Sequence, residues 1–252
     1  MPASQPYTVA CSGGLVKSSN AIDLLKTPGV AQELRNFEVS IEGGYRRING
    51  FSQFGSAKVT GSTTNILGVI PYADGVIACA STGIYFSQDG NSWLNVSRSS
   101  VAGSGDDHTA FTGRSALART GQGQISFALY EAATDDYGTI VIADGANKPY
   151  AFRMEGTGAN INTRTFFGAE ITVNSTKHVT HVTIHDNHLI AAGVEDNLNT
   201  VYYSVNNDID DFSSSGSGAI VISDQIVGIR GFREDLFIFC ENSIYKLINI
   251  NN

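Results

Sequence analysis

From Asn65 onward, apolar residues fall in runs of about five, each bounded by Gly, Asp, Asn or Ser, the spacing of short strands joined by tight turns. Three stretches can be laid over one another. The first is Ile66–Ile70, a turn at Ala73-Asp74-Gly75, Val76–Ala80, a turn at Ser81-Thr82-Gly83, then Ile84–Ser87. The second is Val179–Ile184, His185-Asp186-Asn187, His188–Gly193, a longer loop, then Val201–Ser204. The third is Ile226–Ile229, Phe232–Asp235, Leu236–Cys240, Glu241-Asn242-Ser243, then Ile244–Leu247. A weaker copy runs through Ile125–Tyr130, Thr139–Ala143, Asp144-Gly145 and Pro149–Phe152. Each is strand, turn, strand, turn, strand, with an aromatic at the start of the third strand. A lone meander exposes an apolar face and two edges, and radial stacking of several covers the faces. Meanders recurring every ~40–55 residues predict an all-β fold, a β-propeller, with a β-sandwich as the competing solution.

The first part of the chain reads differently. Thr27-Pro28-Gly29 offers a cap and a tolerated proline, and Val30, Leu34 and Phe37 recur at helical spacing, which predicts a short amphipathic helix over Pro28–Phe37. Phe37–Ile41 then alternates, Gly43-Gly44 turns, and Tyr45–Phe51 returns as a hairpin. The expected organisation is an N-terminal arm over 1–58 and propeller blades over 59–252. Two polar stretches interrupt the blades, 98–124 with Asp106-Asp107-His108 and 155–176 with Phe166-Phe167 in its middle. Both are expected to be long loops. Phe166 and Phe167 are candidates for an interface anchor, with insertion into the core as the alternative.

Composition narrows the function. The chain has 252 residues with 27 Gly, 5 Pro and 2 Met, favouring many turns over long helices. Sixteen basic residues against twenty-four acidic ones give a net charge of −8 and argue against a protein that grips a phosphate backbone. Six of the basic and four of the acidic residues lie up to Lys58, so the remainder carries −10. Cys11, Cys79 and Cys240 are far apart and read as small buried residues in a reducing cell. No run approaches the ~20 apolar residues of a membrane span. Met1–Cys11 lacks a signal-peptide pattern, so synthesis without export is expected.

His178, His181, His185 and His188 crowd one segment, but its turn would scatter them, and they are read as structural or surface histidines. Ser87–Trp93, Ser-Gln-Asp-Gly-Asn-Ser-Trp, resembles the Asp-box turn of propellers. That resemblance implies that Asp89 organises the loop and Trp93 packs beneath it. Asp-boxes occur in sialidases away from the active site, so the motif speaks for fold, and the arginine cluster and activated tyrosine of a sialidase are unmarked. No cofactor, metal or catalytic set is expected.

Cys11–Val16, Leu34–Glu38 and above all Gly43-Gly44-Tyr45-Arg46-Arg47-Ile48-Asn49-Gly50-Phe51 resemble the N-terminal region of tail nozzle or tail-tube proteins of short-tailed bacteriophages. Val201–Ser204 with Asp208-Ile209-Asp210-Asp211-Phe212, followed by Ile229–Leu247, resembles a blade pair of the same proteins. The resemblance implies a non-enzymatic virion component: a homo-oligomer, expected as a hexameric ring below the portal and adaptor, through which double-stranded DNA passes without specific binding. Family members are usually longer, so a shortened relative or the first part of a longer chain is expected. Leu34, Phe37, Arg46 and Arg47 are the candidate docking residues, with Arg46 and Arg47 set on opposite faces of their strand. The alternatives are a carbohydrate-binding or glycosidase-like propeller and a head decoration protein.

Overall fold

The computed structural model describes residues 30, 33, 35, 37–39, 45–47, 50, 52–59, 65–97, 106, 107, 117, 119, 123–131, 136–156, 161–175 and 178–248. The chain divides into two units, Met1–Gln53 and Phe54–Asn252. In the first, Phe37–Val39 (β1) pairs antiparallel with Tyr45–Arg47 (β2), Phe37 opposite Arg47 and Val39 opposite Tyr45. This is the hairpin that the alternation around Gly43-Gly44 predicts. The helix expected over Pro28–Phe37 is not present at its described residues: Val30 and Glu33 have no helical backbone, Arg35 bends, and Phe37 already opens β1. A helix shorter than ~12–15 residues is marginal without packing, and the ladder claims the backbone of Phe37 for a strand. Leu34 lies outside the described residues.

Among its described residues the second unit is all-β, with four antiparallel sheets in the manner of propeller blades. The first blade is Ile66–Tyr72 (β3), Gly75–Ala80 (β4), Gly83–Ser87 (β5) and Leu94–Asn95 (β6). The second adds Asp106–Asp107 (β7) to the outer edge of Ser126–Tyr130 (β8), Thr139–Ala143 (β9), Tyr150–Glu155 (β10) and Thr165–Glu170 (β11). The third is Val179–His185 (β12), His188–Val194 (β13), Asn197–Tyr203 (β14) and Gly218–Val221 (β15). The fourth is Ile226–Phe232 (β16), Asp235–Cys240 (β17) and Ile244–Leu247 (β18).

Three apolar seams hold the blades face to face. In the first, Ile77, Cys79, Ile84 and Phe86 of the first blade meet Ile140, Ile142, Phe152 and Phe166 of the second. In the next, Val141 and Ala143 meet Val182, Leu189 and Ala191 of the third blade. In the last, Ile190, Ala192 and Val201 meet Ile226, Leu236 and Ile238 of the fourth. Strands β9 and β13 send alternate side chains into two different seams, which is why Thr-Ile-Val-Ile-Ala and His-Leu-Ile-Ala-Ala-Gly-Val are buried throughout. At roughly 1.5–3 kcal/mol for each large side chain removed from water, these seams dominate the stability.

The first strands of the blades lie side by side. Ser126 Oγ of β8 donates to Val182 O of β12 at 3.1 Å and accepts from Val182 N at 3.0 Å, and β12 lies along β16. Gly68 of β3 sits so close that a Cβ there would fall 2.8 Å from Cβ of Ile125.

The stretch 155–176 is not the long loop expected. It holds a 3-10 turn, Ile161–Thr163, and the strand β11, whose register places Phe152 opposite Gly168 and Met154 opposite Phe166. Phe166 is fully buried in the first seam, so it is core and not an interface anchor: the polar flanks hid a strand with one face against an apolar sheet. Of 98–124, Asp106 and Asp107 pair with β11, and most of the remainder lies outside the described residues.

Ala73, in the β3–β4 turn, takes φ +52°, a conformation that costs an L-residue about 1–2 kcal/mol and glycine almost nothing. Ala73→Gly is therefore expected to raise stability by about 0.5–1 kcal/mol after glycine's extra chain entropy is subtracted, read from the urea midpoint. A lower midpoint would show that the turn carries no strain.

Candidate functional site

The turn Ser87–Trp93 serves as a seat for the chain before the first blade. Asp89 accepts hydrogen bonds from Asn91 N at 2.8 Å and Asn91 Nδ2 at 3.1 Å, and these donors hold its carboxyl below the usual range. Asn91 Oδ1 accepts from Ser56 N at 3.1 Å and Ser56 Oγ at 3.0 Å, while Ala57 N donates to Gly90 O at 3.0 Å. The backbones meet so closely that a Cβ on Gly55, φ +64°, would lie 2.1 Å from the carbonyl carbon of Gly90. Trp93 is half-buried and meets the chain before the first blade. Its Nε1 donates to Ala57 O at 3.2 Å and its ring meets Phe54 edge-on at 6.3 Å, because the indole N–H finds its acceptor in the strap at 54–57.

Two arginines that the sequence reading passed over hold polar anchors in the core. Arg164 is fully buried, and its Nη1 and Nη2 donate to Asp74 Oδ1 and Oδ2 at 2.7 and 2.6 Å, tying the second blade to the β3–β4 turn of the first. Its hydrogen bonds, with one from Gln88, overcome desolvation and hold the Asp74 carboxyl at about 2. Tyr72 crosses the same seam: its hydroxyl donates to Gly138 O at 2.7 Å and accepts from Met154 N at 3.1 Å. Arg119 is likewise buried, donating through Nη2 to Asp144 Oδ2 at 2.8 Å. Burial pushes the Asp144 carboxyl up, but the charge of Arg119, the amides of Ala146 and Asn147 and the Asn147 side chain hold it below its usual value. An arginine whose acid lies 25 or 90 residues away leaves no periodic signal.

The hairpin sets His185 directly opposite His188, and the other histidines have separate surroundings. His178 Nδ1 faces Glu195 Oε2 at 3.5 Å, His181 is half-buried with its pKa lowered by desolvation, and His188 Nδ1 lies 2.6 Å from Ser204 O. Asp186 and Asn187, both at positive φ, make the two-residue turn between His185 and His188. Among the described residues no group of His, Cys, Asp or Glu could hold a metal ion, and no helix is long and apolar enough to cross a membrane. Cys79 and Cys240 are free and buried, and burial pushes the Cys79 thiol to about 12; Cys11 lies outside the described residues.

Of the expected docking residues, Phe37 is exposed on β1, Arg46 and Arg47 pair through their backbones with Glu38 and Phe37, and the side chains of both arginines lie outside the described residues. Phe167 is half-buried under the Arg153 guanidinium, 4.3 Å from its ring centroid, beside Asp210 in a cleft of about 170 Å³. That is below the ~300 Å³ of an ordinary ligand pocket. Asp210 shares a hydrogen bond with Asp208, which with burial pushes its carboxyl up to about 6. A larger cleft of about 430 Å³ runs between the first strands of the four blades, past Ile70, Ser126, Phe127, His181, Thr183 and Arg230.

Asp74→Ala leaves Arg164 without its carboxylate, and a loss of about 2–4 kcal/mol is expected from urea unfolding. Because the folded-state pKa of Asp74 lies below its usual value, its contribution is present above about pH 4 and fades as pH falls toward about 2. In Asp74→Asn that acid-limb component should vanish; an identical pH profile would remove Asp74 from the account. Trp93→Ala is expected to cost about 1–3 kcal/mol, less than a core tryptophan, and to open 54–57 to proteolysis. Unchanged cleavage would mean that the indole does not hold the strap.

No protein-family model matches the sequence, and no curated protein matches it. Among solved structures, the chain is similar to the WD40 domain of Neurospora crassa Pan2, with a TM-score of 0.33 and 9% identity over 74% of this chain. The match spans 62% of that domain's length.

Proposed function

We propose that this chain is a structural protein of a bacteriophage tail, a nozzle or tail-tube component whose copies form a ring round the DNA exit channel beneath the portal and adaptor. The observation that carries the assembly is β17. Leu236-Phe237-Ile238-Phe239-Cys240 is a continuous apolar run like those of β9 and β13, the pattern of a strand covered on both faces. Here one face is packed in the last seam, while Phe239 is 40% exposed and Ile244, opposite it on β18, is 67% exposed. At the other end of the blade series, Val69 of β3 is 58% exposed.

Exposed apolar side chains on both terminal blades, Val69 on the first and Phe239 and Ile244 on the last, suit a head-to-tail contact between copies, and such a contact closes into a ring when its rotation allows. The resemblance of the Gly43-Gly44 segment and of Asp208–Phe212 to phage tail proteins is what supports reading that ring as part of a tail. The excess of acidic charge after Lys58 suits a channel from which DNA must slide without sticking. The work done is assembly and electrostatics, with no bond made or broken.

The purified chain is expected to scatter light as a closed oligomer at micromolar concentration. Ile244→Asp or Val69→Asp, at opposite ends of the blade series, should each return it to monomer with the β-type circular dichroism retained. A monomeric parent, or assembly untouched by either substitution, sinks the ring. Removal of 1–53 should leave folded blades that no longer bind the upstream tail component.

A further inference from the structure

We propose that the cleft between the β12–β13 and β16–β17 turns is a binding site for a phosphate group, an inference that does not depend on the tail assignment. The cleft measures about 470 Å³ and is bordered by Thr183, His185, Asp186, Arg230, Gly231 and Arg233. Its charges run against those of the chain, which is −8 overall: two arginines face one aspartate here.

Arg230 and Arg233 are exposed and form no ion pair with a described residue, and the Arg233 guanidinium lies 5.4 Å from the Phe232 ring centroid. Among the described residues the buried arginines behave otherwise: Arg119 and Arg164 each hold a carboxylate. His185, only 5% exposed, borders the same cleft, and among the described residues its buried Nε2 has no hydrogen-bond partner, Asp186 Oδ2 standing 3.6 Å away. An unsatisfied buried ring nitrogen costs free energy that a ligand oxygen can restore.

The donor set selects the ligand class. Arg230 on β16, Arg233 in the β16–β17 turn and His185 at the end of β12 all border the cleft, and guanidinium forks on two different elements suit the several oxygens of a phosphate group. Gly231 presents no side chain between them, and Thr183 adds a hydroxyl. The cleft also shares Thr183 and Arg230 with the one that runs along the first strands, so it is the charged mouth of that groove. A phosphate can reach it free in solution or on a nucleic-acid backbone.

Calorimetric titration of the full chain with inorganic phosphate in chloride buffer tests the site, with expected saturable binding at a Kd of about 1 mM or tighter. Arg230→Ala and Arg233→Ala, both at exposed positions, should weaken it about tenfold each while circular dichroism stays unchanged, and Arg230→Lys should recover part of the loss. His185→Gln, which retains a donor, should bind more tightly than His185→Leu. Competition with a 12-base-pair duplex separates the sources: displacement by phosphate assigns the site to a nucleic-acid backbone, and phosphate binding without duplex binding assigns it to free phosphate. No saturable phosphate binding, or equal binding by the folded arginine variants, overturns the proposal.

Discussion

Burial of a strand on both faces is the constraint on which this fold depends. β9 and β13 carry no polar face, so each must lie between two apolar sheets, and a meander alone provides only one. Stacking in sequence order solves this: Ile140 and Ile142 look one way and Val141 and Ala143 the other, and Leu189 and Ile190 divide in the same manner. The first strands of neighbouring blades lie close together, β8 and β16 both alongside β12. The glycine at position 68 is required by that proximity.

Polar anchors then decide how the blades sit in the seams. Apolar contact tolerates sliding, whereas the Arg164–Asp74 fork and the two hydrogen bonds of Tyr72 are met at one register only. A buried ion pair adds little net stability over an apolar pair, but a slipped register that separated its members would leave a buried charge alone. The Arg119–Asp144 pair acts the same way, holding the Asp144-Gly145 turn through Lys148 O and the amides of Ala146 and Asn147. Such devices sit at turns because the strands have already spent their backbone groups on the ladders.

The same stacking rule links fold to function. A series of blades has two ends, and unless something covers them each leaves a face of the kind that the interior strands bury. The exposure of Val69 at one end and of Phe239 and Ile244 at the other is thus a consequence of the architecture, and the association between copies that we propose would cover it. The charged mouth at Arg230 and Arg233 is different in kind, because neither arginine meets an acid among the described residues.

Period-two alternation, five-residue apolar runs and turn residues were sufficient to locate most blade strands, because each of these is a property of a few neighbouring residues. The His185–His188 turn and the hairpin after Phe37 were legible for the same reason. Local pattern failed where two periods fit equally: Val30, Leu34 and Phe37 satisfy a helix, yet Phe37 belongs to a ladder. It failed again at Thr165–Glu170, where a phenylalanine pair among polar residues reads as a loop although Phe166 fills the core and Phe167 meets Arg153. Which carboxylate Arg164 holds, which chain segment Trp93 clamps, and which turns bring Arg230 and Arg233 beside His185 were settled only by tertiary structure. Those partners are separated by tens of residues, and a charge or an indole selects its partner by what the folded backbone brings within hydrogen-bonding distance, which no local periodicity encodes.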